Sequence, residues 1–361
     1  MFKLNEFSDV LLELTVLARE QSVDCYQQKA LSAVQRILPF DMAWWGIMSP
    51  HNTSFLLHSS HLFNLPVAYV EVWEQTKGDD SVAKAAHKQP RQTTYFDERN
   101  LAATPGLATL TFSHGIAQAF CTADFVPASK TFTFLSLYRA RHESRFNANE
   151  RMLKQYLMPH LCASWAVNRA FGIEHFKAVA SGGEAAIALI DRQFGVINAE
   201  ESFRGFVDVE WPGWHGASLP PSMLHWLQSK HASVKLNRIV LRRYSFGDFH
   251  LLVARARSRV DLLSQREASI AHAFSRGLSY KEIARDLDSA PATVRHHLRM
   301  IYEKLGVSDK ATMTSAVNDQ SACLKREALV ARHRRLESAR YVQATLPGTR
   351  IPSEIKSKSF S

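Results

Sequence analysis

Arg295, His296 and Arg299 follow one another at a spacing that puts two guanidinium groups and an imidazole on one side of a helix. A guanidinium is a planar fork of donors, matched to paired acceptors such as O6 and N7 of guanine. For that chemistry the helix must be held from its other side. Val294, Leu298, Ile301 and Leu305 recur at helical spacing and form that buried stripe, while Tyr302 joins the cations on the outer one. A merely solvated face is the plain alternative for Arg295 and Arg299.

The elements around this helix are also written in the chain. The turn Asp288-Ser289-Ala290 precedes Pro291, which suits a first helical position. Upstream, Ser279 is followed three residues later by Glu282, a capping box, and Ile283 and Leu287 lie four apart on one side. Before that, Ile270, Ala273 and Phe274 describe another helix with an apolar face, which Gly277 is placed to end as a left-handed cap. Helix, tight turn and second helix with a cationic outer face is the helix-turn-helix arrangement.

The segments LSQRE, GLSYKEIARDL and TVRHHLRMIYEKLGV, in that order over roughly residues 260–320, resemble the DNA-binding domain of LuxR-type bacterial transcription regulators. The resemblance implies double-stranded DNA as a partner, with base contacts from Arg295, His296 and Arg299. It implies phosphate contacts from Lys281, Thr293, Lys304 and Lys310, and a structural or phosphate role for His297. A homodimer reading two half-sites is implied too. The chain departs from the family at Ser289 and Ala290, where a hydrophobic residue and then Ser are usual. Losing a side-chain cap costs about 1 kcal/mol, which Pro291 offsets in part.

With 361 residues, 46% of them hydrophobic, the chain is expected to hold two or three domains. Seven of its ten excess positive charges lie in residues 262–361, and 321–361 alone carry nine Lys/Arg against three Asp/Glu. Such a basic extension, with Lys325, Arg326, Arg332, Arg334, Arg335 and Arg340, suits a phosphate backbone or is simply solvated. The four cysteines form no CxxC pair or Cys/His pattern, so neither a structural metal nor a disulfide framework is expected. No signal-like amino terminus and no run of about 18 apolar residues occurs, which predicts a cytoplasmic protein outside the membrane. Without a phosphate loop or a paired nucleophile and base, the chain is expected to be neither an enzyme nor a cofactor carrier.

The first half reads as mixed α and β. Helices are expected over 5–38, on Leu11, Leu12, Leu14, Leu17 and then Ala30, Leu31, Val34, Ile37 and Leu38, before Pro39 breaks the pattern. FDMAWWGIM and KTFTFLSLYRA are aromatic or β-branched runs of strand type. A helix over about 147–171 carries Leu153, Leu157, Leu161 and Trp165 at four-residue steps, a stripe that can cover the sheet or pair two subunits. LPFDMAWWGI and NERMLKQYLMPHLCASW are similar to the sensory half found before LuxR-type modules, which implies a GAF-like or autoinducer-domain-like sensor over 1–172. AIALIDRQFGVINAE resembles the opening hairpin of PAS-like domains, placed at 180–256, and Arg238–Tyr244 with Phe249–Ala254 flank a second hairpin there. The fold class is thus an α+β sensor region, GAF-like then PAS-like, followed by an all-α helix-turn-helix domain.

A small-molecule effector of unknown identity is the expected input, and Trp44, Trp45, Trp73 and Tyr95, with Phe112 and Phe120, are the candidate pocket residues. Core packing is the commoner use of such aromatics. The alternative is a scaffold whose sensor region binds a partner protein and no small molecule. His58, His61, His87 and His114 share no i, i+4 pair, so hydrogen-bonded roles are expected over metal ligation. Asp41, Asp79 and Asp80 are candidate phospho-acceptors, but the strand and helix alternation of a receiver domain is not visible around them.

Overall fold

The computed structural model describes residues 4–318 apart from 128, 141–143, 181–185 and 215–218. The basic extension 321–361 lies outside the described residues. Helices α1 (Leu4–Glu20) and α2 (Val23–Gln35) open the chain, and strands β1 (Met42–His51) and β2 (Ser54–Phe63) form a hairpin. Helices α3 (Ala68–Thr76) and α4 (Ser81–Lys88), strand β3 (Thr94–Phe96), and helices α5 (Glu98–Leu101) and α6 (Pro105–Phe112) follow. Strands β4 (Ile116–Val126) and β5 (Thr131–Ala140) lead into the long helix α7 (Ala148–Ala180). The five strands make an antiparallel sheet in the order β2-β1-β5-β4-β3.

Adjacent tryptophans show how the chain fills both sides of this sheet, because successive side chains on a strand point to opposite faces. Trp44 meets Tyr69 and Trp73 of α3 on one face. Trp45 packs edge-on against Trp165 of α7 on the other. The two-sided alternation in β5 has the same meaning: Phe132, Phe134 and Tyr138 belong to the core under α3, α4 and α6, while Leu135 and Leu137 join α1, α2 and α7.

A second antiparallel sheet is built from β6 (Ala186–Ile190) and β7 (Val196–Ala199), helices α8 (Glu201–Glu210) and α9 (Pro221–Gln228), then β8 (Ser233–Lys235), β9 (Ile239–Phe246) and β10 (Phe249–Ala256). Its order is β7-β6-β10-β9-β8, and both expected hairpins, β6-β7 and β9-β10, are formed. Phe203, Val207, Met223 and Trp226 of α8 and α9 cover one face. Ile187, Leu189, Leu251 and Val253 on the other face share a continuous core with Leu157, Leu161, Trp165 and Phe176 of α7.

That shared core decides between the two readings of the α7 stripe, and the register of α1 departs from the expected one. Leu153, Leu157, Leu161 and Trp165 are at most 5% exposed and serve the protein's own interior, so this stripe is not a subunit interface. In α1 the buried register is Val10, Leu14 and Ala18, and Leu12 points outward at 67% exposure.

The carboxy-terminal unit is all helical: α10 (Gln265–Ser275), α11 (Tyr280–Asp286), α12 (Pro291–Leu305) and a further helical stretch at 310–318. Ile270, Ile283, Val294, Leu298, Ile301 and Leu305 form its core with Met313 and Val317. Gly277, at φ +98°, ends α10 in the conformation only glycine adopts freely. Ser279 and Glu282 cap each other's end of α11 as the spacing predicts, and Ser264 with Glu267 does the same for α10. The α+β region followed by an all-α unit is the fold class expected from the sequence.

Candidate nucleic-acid interface

Helix α12 separates its two faces as its periodicity requires. Val294, Ile301 and Leu305 are at most 4% exposed and Leu298 is buried, while Arg295, His296, Arg299 and Thr293 are exposed. The Arg295 guanidinium lies 5.1 Å from the Tyr280 ring centre, which ties the first turn of α12 to the start of α11. Arg299 reaches Glu303 only at 3.9 Å, with both side chains mostly in solvent, so this pair adds little stability and leaves the guanidinium available. His297 is half-buried beside the exposed His296.

The expected phosphate residues occupy different situations. Lys281 is exposed at the start of α11. Lys310 is exposed and its ammonium sits 4.3 Å from the Phe274 ring centre. Lys304 is placed otherwise: its ammonium donates to both carboxylate oxygens of Glu267 at 2.7 Å. Those hydrogen bonds hold the Glu267 carboxyl below the usual carboxylate range and fasten the last turn of α12 to the first turn of α10. In this state Lys304 is a structural cation rather than a free phosphate donor.

The link between sheet and helices was not legible in the sequence. A short helical turn, Arg259–Leu262, connects β10 to α10. Asp261 in it is buried and accepts two bonds from Arg255 of β10, at 2.6 and 2.8 Å. Burial alone would raise its pKa, yet the Arg255 and Ser258 donors outweigh that and bring it down to about 2. Arg259 turns the other way and donates to the Leu305 carbonyl at 3.2 Å, at the end of α12. Gly306 follows at φ +64°, and a Cβ there would fall 1.8 Å from Arg259 Nη1. The cationic helix is therefore tied at its end to the segment that leaves the second sheet.

Around the first sheet the four candidate aromatics are divided between its two faces. Trp44 lines a mainly apolar cavity of about 40 Å³ between the sheet and α3, α4 and α6. Trp73 stands behind it, 5.1 Å from Trp44, and donates its indole N–H to Asp80 at 2.8 Å. Trp45 and Tyr95 belong to the opposite side, Trp45 on Trp165 and Tyr95 against Phe120, so neither reaches this cavity. Phe112 is 55% exposed. Tyr69 and Tyr138 are the residues missed, and Asp80 and His87 were expected in other roles; these four, with Thr111, Thr122 and Ser136, supply polar groups of the wall. The Tyr69 and Tyr138 hydroxyls pair at 2.9 Å, and burial raises the pKa of both. Asp80 caps α4 through Ala83 N–H, and burial raises its pKa as well. His87 is wedged against Phe132, with its Nδ1 buried and without a hydrogen-bond partner among the described residues.

The other candidates serve structure. His58 lies 2.5 Å from Asp191 and 2.8 Å from Ser49, joining the two sheets. Asp41 accepts from Ala140 N–H, and His114 packs on Tyr69.

Residues 261–317 match the model of the family described as bacterial regulatory proteins, luxR family. They are a LuxR-family domain. The LuxR-family segment is 44% identical over 57 residues to the probable transcriptional regulatory protein NarL of Mycobacterium tuberculosis strain H37Rv, covering 16% of this chain and 26% of the relative. The chain thus spans about a quarter of that relative's length. Among solved structures, SdiA in complex with octanoyl-rac-glycerol is 16% identical, with a TM-score of 0.36 over 92% of this chain and 97% of that one. The phycoerythrobilin-bound GAF domain of a cyanobacterial phytochrome is 12% identical, with a TM-score of 0.33 over 48% of this chain and 99% of that one. Overall scores of this size carry no function from those proteins to this one. The family match falls on α10 to α12 and the stretch after them, the unit that carries the exposed cations.

Proposed function

We propose that the chain is a cytoplasmic transcription regulator that binds double-stranded DNA as a homodimer and takes its input from the sheet region. The observation that carries the reading is the two-sidedness of α12 within the LuxR-family segment. Its apolar stripe is consumed by the helical core, which leaves Arg295, His296 and Arg299 on a free face. Laid in the major groove, that face puts guanidinium forks within reach of guanine edges. Lys281, Thr293, His297 and Lys310 are assigned to the phosphates, which set register and carry little sequence information. Two such helices one turn of DNA apart read a partly palindromic site, and each doubles the contact the other makes. The reading assigns binding and no catalysis.

A small effector is assigned to the apolar cavity beneath Trp44. In the present state its 40 Å³ hold only a few waters, whereas ligand pockets run to roughly 300–1,000 Å³. Entry therefore requires α3, α4 or α6 to yield, which couples occupancy to packing. A second reading, a platform for a partner protein, is favoured by Met152, Tyr156, Val167 and Phe171, apolar side chains 41–54% exposed along α7. Native mass spectrometry of the purified chain separates the two, since a retained small molecule supports the first.

The test of DNA reading is Arg299→Ala, assayed on a duplex selected from random sequence and on an unselected one. Affinity for the selected duplex should fall by about 1–3 kcal/mol, with non-specific binding nearly unchanged. Equal loss on both duplexes would move Arg299 to the phosphates.

A further inference from the structure

Helix α7 has a second face, opposite its buried stripe. Met152, Tyr156, Pro159, Ala163, Ala166 and Ala170 recur on it at alternate steps of four and three residues, and all six are exposed. Such a 3.5-residue repeat is that of a seam between two helices. Val167 and Phe171, 41% and 48% exposed, widen the row. No Asp, Glu, Lys or Arg stands on it, although water faces it over about five turns.

The apolar surface continues onto α1, which lies alongside. Phe7 packs edge-on against His160, and the Asn168 amide donates to the Ala18 and Gln21 carbonyls at 3.2 and 2.8 Å. The Arg19 guanidinium carbon stands 5.9 Å from the Phe171 ring centre. Leu12 and Val16, 67% and 42% exposed, share Arg19's side of α1 and so border the row. At the carboxy-terminal end of the row a groove of about 200 Å³ opens between Ala170 and Ile173 of α7 and Ile187 and Leu189 of β6, with Lys177 paired to Glu174 and Glu200 at its rim. Two helix widths over a length of about 30 Å give ~600 Å² per copy and ~1,200 Å² for a pair, which reaches the range of stable specific interfaces.

We propose that this face binds a second copy of the chain, α7 of one protomer against α7 of its partner, with α1 on the flanks. A two-fold contact requires a surface complementary to itself, and an uncharged row meets that condition. A charged partner would leave its ions without a counter-charge along the row. An apolar patch of this size in water marks a contact surface. Ala163, Ala166 and Ala170 let the two backbones approach closely, while Met152, Tyr156, Val167 and Phe171 supply the apolar area and the groove receives a bulky side chain of the second copy. The inference names the partner of the exposed α7 face and rests on the homodimer reading. The contact forms without DNA, so it can be tested apart from DNA binding.

Ala163 lies near the middle of the row, where a two-fold axis brings its two copies together. Sedimentation of the full chain without DNA should show a dimer at micromolar concentration. Ala163→Arg, at an exposed position, should keep the unfolding midpoint of the dissociated chain and raise the dimer dissociation constant about hundredfold or more, because like charges then meet. Ala163→Lys and Ala163→Glu should each sediment as monomers and form a dimer when mixed in equal amounts, a rescue that no loss of folding can imitate. Arg299→Ala should stay dimeric, which keeps a failure of DNA reading distinct from a failure of this contact. The proposal is overturned if the parent chain is monomeric at tens of micromolar, which leaves the face to another protein. It is overturned equally if Ala163→Arg dimerises like the parent, or if the Lys and Glu variants stay monomeric when mixed.

Discussion

Lys154 illustrates how a single buried group shapes stability at the residue scale. Its side chain is 1% exposed, and its amine donates to the Thr122 hydroxyl at 2.6 Å and the Leu135 carbonyl at 2.8 Å. No carboxylate is among those partners, and burial brings its pKa down to about 7 from an ordinary 10.5. Between those values the unfolded chain binds the proton and the folded one does not, so this residue makes stability rise with pH from about 7 to 10.5. Below about 7 both states are protonated and the penalty is complete. Lys154→Met is expected to stabilise the protein at neutral pH by about 1–4 kcal/mol, because an apolar side chain replaces an uncompensated charge. Denaturant titrations of both proteins between pH 7 and 10 check this, and the gain should shrink as the pH rises. Taking the difference removes the opposite trend of Cys121 and Cys162, whose thiols burial raises to about 11 and about 12.

At the scale of the element, the start of α12 is its weakest point. Ala290 holds the capping position at φ −77° and ψ 143°, and its side chain can accept no hydrogen bond from the first turn. Pro291 removes one of the orphan donors but leaves the others to water. Ala290→Ser supplies the missing acceptor in a backbone geometry that already suits it. We expect the helical unit to gain about 1 kcal/mol, read as a higher denaturation midpoint with an unchanged slope. The far end of the same helix is better secured, by Lys304 on Glu267 and Arg259 on the Leu305 carbonyl. Helix α7 shows the reverse relation between pattern and role. Its stripe of Leu153, Leu157, Leu161 and Trp165 reads equally well as a dimer seam or as a lid on a sheet, and only the presence of two sheets beside it decides for the lid.

Charge distribution is a property of the whole molecule. Seven of ten excess positive charges fall in the last hundred residues, on and after the LuxR-family segment, where electrostatic attraction to DNA is additive and insensitive to base sequence. Deleting 321–361 should therefore flatten the dependence of log affinity on log salt while leaving the footprint unchanged. Fluorescence anisotropy across a salt series measures the slope, and an unchanged slope would remove this segment from the DNA. Among the described residues no helix is long and apolar enough to cross a membrane. The sheets, sharing a core through α7, are linked further by His58 with Asp191 and by Ser59 and Ser60 with Asp248.

What the sequence by itself determined is whatever depends on neighbours a few residues away. Capping boxes, the Gly277 stop and the Val294 to Leu305 stripe are local, because helix hydrogen bonds and side-chain phase repeat within a turn. The three helices α10 to α12 and the outward face of Arg295, His296 and Arg299 were therefore readable, and so were the two hairpins of the second sheet, whereas the pairing of Lys304 with Glu267, 37 residues away, was not. Tertiary structure decided what depends on which surface lies across. Trp44 and Trp45 are indistinguishable as letters, yet a strand sends them to opposite faces, one to a cavity and one to the core under α7. His58 and Asp191 are 133 residues apart, and Arg259 and Leu305 are 46 apart. No periodicity connects such pairs, since their contact exists only once the sheets and helices have packed.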